Sequence, residues 1–167
     1  TIEGEYIQGS CPMELHLSAR PPFSLSAVIQ SHGWARLVPF QHESESGTLG
    51  YTYRLDTGRV VQLAIHEQME GVSVEFQDQI DRDEETEIAQ DMTWMLGLDR
   101  DLSSFYAVAS QEPKLAHVVD KVEGRILRSS SFFEDTVKTI LTTNTAWSGT
   151  KRMALALERH GLLVLAL

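Results

Sequence analysis

The chain has 167 residues, 42% of them hydrophobic and 23% charged, with a formal net charge of −10. That length admits one or two small domains, and that apolar content is enough for a real core. No apolar run is long enough to span a bilayer and no charged-then-apolar leader is present, which argues against membrane insertion and secretion, while the acidic balance argues against a basic footprint covering the whole chain.

The single cysteine, Cys11, has no partner for an internal disulfide; it reads as a half-buried small residue in a cytoplasmic protein. Thr1 is not an initiator methionine and the end of the chain is apolar, so the sequence reads as a piece of a longer protein. Further along, Pro21-Pro22-Phe23-Ser24 precedes an apolar stretch (Leu25, Val28, Ile29) that stops at Gly33. It reads as a short helix capped by Ser24 or as a strand-like segment, with the helix favoured.

From Pro39 to Phe76 the apolar residues alternate: Leu49, Tyr51 and Tyr53, then Val61, Leu63 and Ile65, then Val72, Val74 and Phe76 behind Gly71. Period two is the signature of a strand with one face buried. Ser44-Glu45-Ser46-Gly47 and Asp56-Thr57-Gly58-Arg59 carry hairpin chemistry, and Glu70-Gly71 is a tighter link. The pattern predicts an antiparallel sheet of about four or five strands within residues 10–78.

Nine acids lie between Asp78 and Asp101, followed or interleaved by Ile88, Met92 and Met95 at helical spacing. Acids in a first turn complement the helix dipole, so a helix begins near residue 83 with these three facing inward. The run Asp81-Arg82-Asp83-Glu84-Glu85 lacks the central glycine and closing glutamate of a calcium loop, and nothing singles out two acids as a glycoside-cleaving pair. His16, His32, His42, His66, His117 and His160 have no zinc-site spacing. No nucleophile elbow, phosphate loop or dinucleotide fingerprint occurs. No metal, no cofactor and no catalytic residue is therefore assigned within this chain.

The stretch Gly124 to Gly161 places a Thr/Asn turn between two amphipathic helices. The hydroxyls of Ser129, Ser130 and Ser131 are N-cap candidates for the first; Phe133, Val137, Ile140 and Leu141 share its apolar face, with Glu134, Asp135 and Lys138 pointing elsewhere. Trp147 and Met153 are expected to meet that face across the turn, and the second helix to stop at Gly161. Thr142-Thr143-Asn144-Thr145 ends the first helix. Residues 114–167 hold eight Lys/Arg against five Asp/Glu, a net of +3, so the remainder carries −13. That asymmetry marks a C-terminal part of the chain compatible with nucleic acid, or an imbalance with no function.

Residues Gly124 to Gly161, together with Asp101-Leu102-Ser103-Ser104-Phe105-Tyr106 and Asp120 to Leu127 upstream, resemble the entry to the helical core of the helix-hairpin-helix DNA glycosylases, in particular the 3-methyladenine glycosylase II and 8-oxoguanine glycosylase types. The alternating segment of residues 35–76 is similar in kind to the antiparallel N-terminal domain of those two. The resemblance implies an α+β fold: a sheet domain over 1–98 with one or two helices, then the first helices of an all-α glycosylase core over 99–167. It implies an N-terminal portion of a base-excision-repair N-glycosylase that flips and excises an alkylated or oxidised base from double-stranded DNA. Asn144 falls where these enzymes fill the gap left by the flipped base, flanked by Thr143 and Thr145; its alternative role is a helix cap. Lys151 and Arg152 are implied phosphate contacts. Gly33 and Trp34 are implied at the base pocket, with Trp34 as a core or interdomain residue the alternative. Gly149 stands where 8-oxoguanine enzymes carry an arginine that reads the opposite cytosine, which counts against that preference.

The hairpin that grips a phosphate and the aspartate that supports cleavage are implied beyond residue 167, so these residues alone are expected to be inactive. Two rivals stand beside this reading: a small α+β ligand- or partner-binding module, and a DNA-binding relative without catalysis.

Overall fold

A computed structural model describes residues 13–160; Cys11, Gly161 and the apolar tail, on which three expectations fall, lie outside the described residues. The α+β reading holds. Five strands form one antiparallel sheet in the order β1-β5-β4-β3-β2: β1 (Met13–Ser18), β2 (Phe40–Glu43), β3 (Thr48–Arg54), β4 (Val60–Gln68) and β5 (Gly71–Phe76). Six helices are described: α1 (Leu25–Gln30), α2 (Arg82–Leu96), α3 (Ser103–Ala109), α4 (Ala116–Asp120), α5 (Phe132–Thr142) and α6 (Trp147–Arg159).

Strands β2 to β5 follow as hairpins, and β1 closes the sheet beside β5. The alternating residues all turn inward: Leu49, Tyr51, Tyr53, Val61, Leu63, Ile65, Val72, Val74 and Phe76 are buried, in register across β3, β4 and β5. Gly71 sits where a Cβ would lie 2.0 Å from the Leu17 carbonyl oxygen, with φ 155°, so only glycine admits the close approach of β1 to β5 at this corner.

Helix α2 covers the inner face of the sheet with Ile88, Met92, Met95 and Leu96, all buried in the same cluster as the strand residues. Each such side chain contributes about 1.5–3 kcal/mol. Its start is fixed by a capping box: the Asp81 carboxylate accepts from the amides of Asp83 and Glu84, while Glu84 accepts from the Asp81 amide. Glu84 also pairs with Arg59 at 2.9 Å, which ties the β3–β4 turn to the helix. Helix α1 is capped by Ser24, as its sequence indicates. Among the described residues no helix is long and apolar enough to cross a membrane.

The helical part is joined to this core by Arg125. Only 5% exposed, it donates to the carbonyls of Gly97 (3.0 Å), Pro22 (2.7 Å), Arg20 (2.6 Å) and Arg100 (2.9 Å). Leu127, two residues on, completes the main apolar cluster, and the chain then enters α5 through Ser129, Ser130 and the N-cap Ser131.

The Tyr53 hydroxyl lies 2.9 Å from Glu87 Oε1 and 2.7 Å from Asp91 Oδ2, but it has one proton to give. One carboxyl must therefore hold a proton for both contacts to be hydrogen bonds. Burial, then the neighbouring Glu87 and Asp56 charges, push the Asp91 carboxyl above its ordinary range, against the Tyr53 bond that favours its ionised form. A raised carboxyl contributes stability that is complete below its unfolded value and is lost as pH rises through its folded value. Asp91→Asn, which mimics the protonated acid, is expected to melt higher than the parent at pH 7 and to converge with it at or below pH ~4. Thermal melts of both proteins across that range check this; a variant that melts lower at pH 7 contradicts it.

Candidate nucleic-acid interface

Helices α5 and α6 form a hairpin around residues 143–146. Hydroxyls close the end of α5: Thr142 donates to the Thr139 carbonyl at 2.7 Å, Thr143 to that of Ile140 at 2.7 Å, and Thr145 to that of Thr143 at 3.0 Å. Thr150 of α6 reaches back to the Leu141 carbonyl at 3.0 Å and fixes the angle between the helices. Carbonyls left over at a helix end are thus satisfied by side chains of the turn itself.

Asn144 sits at the apex with φ 50°, a left-handed conformation that asparagine tolerates better than other side-chain-bearing residues. It is exposed, and its side chain has no hydrogen-bond partner among the described residues. The capping work falls to the threonines. Thr143 and Thr145 are exposed beside it but spend their hydroxyls on the backbone. Lys151 and Arg152, in the second turn of α6, are exposed and make no ion pair among the described residues. Ala146 precedes α6 and has no side-chain oxygen to cap its first amides.

The expected core of α5 needs correction. Phe133 is 42% exposed and Ile140 61% exposed; Val137 and Leu141 are partly buried with Trp147, Leu157 and Trp34 around Leu37 and Ala154, and Met153 is not in that group. The fully buried positions are instead Glu134 and Lys138, the residues the sequence pattern turns away from the core. Their side chains form an ion pair four residues apart. Lys138 also donates to Ser129 Oγ at 3.1 Å and lies 4.6 Å from the Phe40 ring centroid and 5.4 Å from that of Trp34. Glu134 accepts in addition from the Tyr51 hydroxyl, 3.3 Å away, and Ser130 lies 3.0 Å from the same hydroxyl. Burial pushes the Lys138 ammonium below the ordinary lysine range, with the Glu134 charge acting in the opposite sense. Helix α5 is docked on the sheet through this polar cluster; its orientation follows from satisfying a buried charge.

Gly33 and Trp34 lie where α1 runs into the sheet and touch the hairpin. Gly33 has φ 89°, and a Cβ there would approach the Trp147 ring to 3.4 Å. Trp34 is half-buried, stacked on His32 at 4.7 Å and packed against the α5–α6 apolar group. Burial holds the His32 imidazole below its ordinary range, Asp135 raising it and Lys138 lowering it. Gly33 borders a cleft of about 670 Å³ with Ser26, Gln30, Arg36 and His42 on its walls, whereas Trp34 does not line it. The structure therefore brings Gly33, Trp34 and Trp147 together, with Asn144 beyond them on the hairpin.

This arrangement, an antiparallel sheet leading into a helical arm with a polar turn, has a counterpart among solved structures. A solved structure similar to it is the 3-methyladenine DNA glycosylase from Archaeoglobus fulgidus, with a TM-score of 0.61 and 19% identity over 87% of this chain. The match takes in 48% of that enzyme, so the chain spans about half its length. No family model matches the sequence, and no curated protein matches it.

Removing one partner of a buried ion pair leaves the other charge without compensation, at a cost of about 3–5 kcal/mol. Lys138→Met is expected to destabilise by that amount in urea unfolding, and Lys138→Met with Glu134→Met to recover most of it. A double variant no more stable than Lys138→Met contradicts the pairing as the source of the loss.

Proposed function

We propose that the chain is the N-terminal portion of a base-excision-repair DNA N-glycosylase acting in the cytoplasm on double-stranded DNA that carries an alkylated or oxidised base. In this reading residues 1–98 are the sheet domain and 99–167 the start of the helical core. The observation that carries it is Asn144: an amide side chain, exposed and without a local partner, at the apex of a turn braced by three threonine hydroxyls. The similar fold of a 3-methyladenine DNA glycosylase supports the assignment of class.

Extruding a base costs a few kcal/mol of stacking and pairing, and a side chain that enters the gap offsets part of it. Asn144 has the length of a short wedge and both a donor and an acceptor for the orphaned partner base. It is exposed at the apex between the two helices, where nothing among the described residues engages its amide. Lys151 and Arg152, in the second turn of α6, take the flanking phosphates, and the first turn of α6, which no side chain caps, lies between them and Asn144 in the sequence. Gly33 borders the pocket that receives the base, and Trp34, its neighbour, shapes that pocket from its place against the α5–α6 apolar group. Cleavage of the glycosidic bond falls to residues outside this chain.

In the intact protein, Asn144→Ala is expected to weaken binding to a duplex with an abasic-site analogue roughly tenfold, a loss of about 1.4 kcal/mol, and to weaken binding to undamaged duplex much less. Fluorescence anisotropy with the two duplexes measures this; equal losses refute the gap-filling role. Replacing Lys151 and Arg152 by Ala is expected to weaken both duplexes alike and to flatten the salt dependence. Trp34→Ala is expected to slow excision of an alkylated base while duplex binding persists, and unchanged excision removes Trp34 from the pocket.

A further inference from the structure

Four of the ten arginines, Arg20, Arg100, Arg125 and Arg128, gather around the C-terminal end of α2 and the turn that follows it, in a chain whose net charge is −10. Arg125 is consumed inside. Arg20 faces Asp101, and Arg100 and Arg128 reach the surface beside Trp94, which is 49% exposed on the last turns of α2. The Arg128 guanidinium lies 4.2 Å from the Trp94 ring centroid and that of Arg100 6.0 Å from it. Two like charges thus share one indole. Arg100 forms no side-chain hydrogen bond or ion pair among the described residues.

Part of this has a local explanation. Arg128 donates from its backbone to the Met95 carbonyl at 3.0 Å and lies 3.5 Å from that of Trp94, a suitable place for a cation at the negative end of a helix. Asp99 and Asp135 also face Arg128, and Asp101 lies 3.8 Å from Arg20. None of these accounts for Arg100, whose charge stands beside Arg128 and raises the cost of keeping it ionised. An anion between the two would remove that repulsion, and the indole holds both guanidiniums within 6.0 Å of one exposed ring.

We infer that Trp94, Arg100 and Arg128 form a second contact surface for the phosphodiester backbone of DNA, separate from the α5–α6 turn. The inference rests on the DNA-binding reading above and adds to it a place where the duplex, or the strand flanking the lesion, is held. The guanidiniums supply bidentate donors to phosphate, and the exposed face of Trp94 gives a platform for a sugar or an unpaired base.

The test uses the full-length protein and an undamaged fluorescent duplex, titrated by anisotropy at several sodium chloride concentrations. Each phosphate contact adds about 0.9 to the slope of log K against log salt. Arg100→Gln with Arg128→Gln is expected to lower the slope by about 1.8 and to weaken binding at low salt. Arg82→Gln, at the opposite end of α2 about 20 Å away, is expected to change neither. Arg128→Lys keeps the charge and is expected to keep the slope. Should loss of Arg128 impair folding in a thermal melt, Arg100→Gln alone is expected to lower the slope by about 0.9. A parent protein that binds duplex, with slope and affinity unchanged in the double variant, overturns this inference and leaves the glycosylase reading intact. A parent that binds no duplex overturns both. A lowered slope together with equal losses for Asn144→Ala on the two duplexes supports this surface and removes the gap-filling role instead.

Discussion

Lys138 has to be neutralised where it stands, and that requirement orients the helical arm. A fully buried ammonium costs several kcal/mol unless charge and hydrogen bonds surround it. Glu134, Ser129 and the ring faces of Trp34 and Phe40 provide that surrounding, and Tyr51 holds Glu134 from the sheet. The participants come from β2, β3, the turn after α1, the approach to α5 and α5 itself. Satisfying all of them at once permits one placement of α5, and the turn bearing Asn144 inherits that placement because Thr150 binds α6 back to α5.

Much of the sheet was legible in the sequence because its rule is strictly local. Alternation at Leu49, Tyr51 and Tyr53 and at Val61, Leu63 and Ile65 reports a face, and a face that is apolar along three neighbouring strands has one place to go. The cap of α1 at Ser24 and the capping box of α2 depend on residues within three positions of each other, so they too can be read directly. The turn at residues 142–145 belongs with these.

Helix α5 shows where such reading ends. Periodicity separates two faces of a helix but does not say which one meets the protein when both contain something to bury. Here the polar stripe turns inward, since Glu134 meets a tyrosine 83 residues earlier in the chain. Phe133 and Ile140 consequently face out. Nothing in a window of eighteen or so residues encodes that meeting. The net +3 of residues 114–167 overstates the surface by one charge for the same reason: Arg125 belongs to the interior, while the equally buried Lys138 and Glu134 cancel each other. Trp94 and Arg128 are 34 positions apart and become neighbours only through the fold.

The joint at Arg125 has a consequence for how the sequence tolerates drift. All four of its acceptors are main-chain carbonyls, of Arg20, Pro22, Gly97 and Arg100. A carbonyl is carried by every amino acid, so exchange of the side chain at any of those positions leaves the oxygen in its place wherever the backbone keeps its course. The guanidinium has no such substitute, because lysine offers one nitrogen where several spread donors are needed. The connection between the sheet and the helices is therefore tolerant of side-chain exchange at Arg20 and Arg100, restricted at Gly97 by its left-handed backbone (φ 62°), and hostage to a single codon at Arg125.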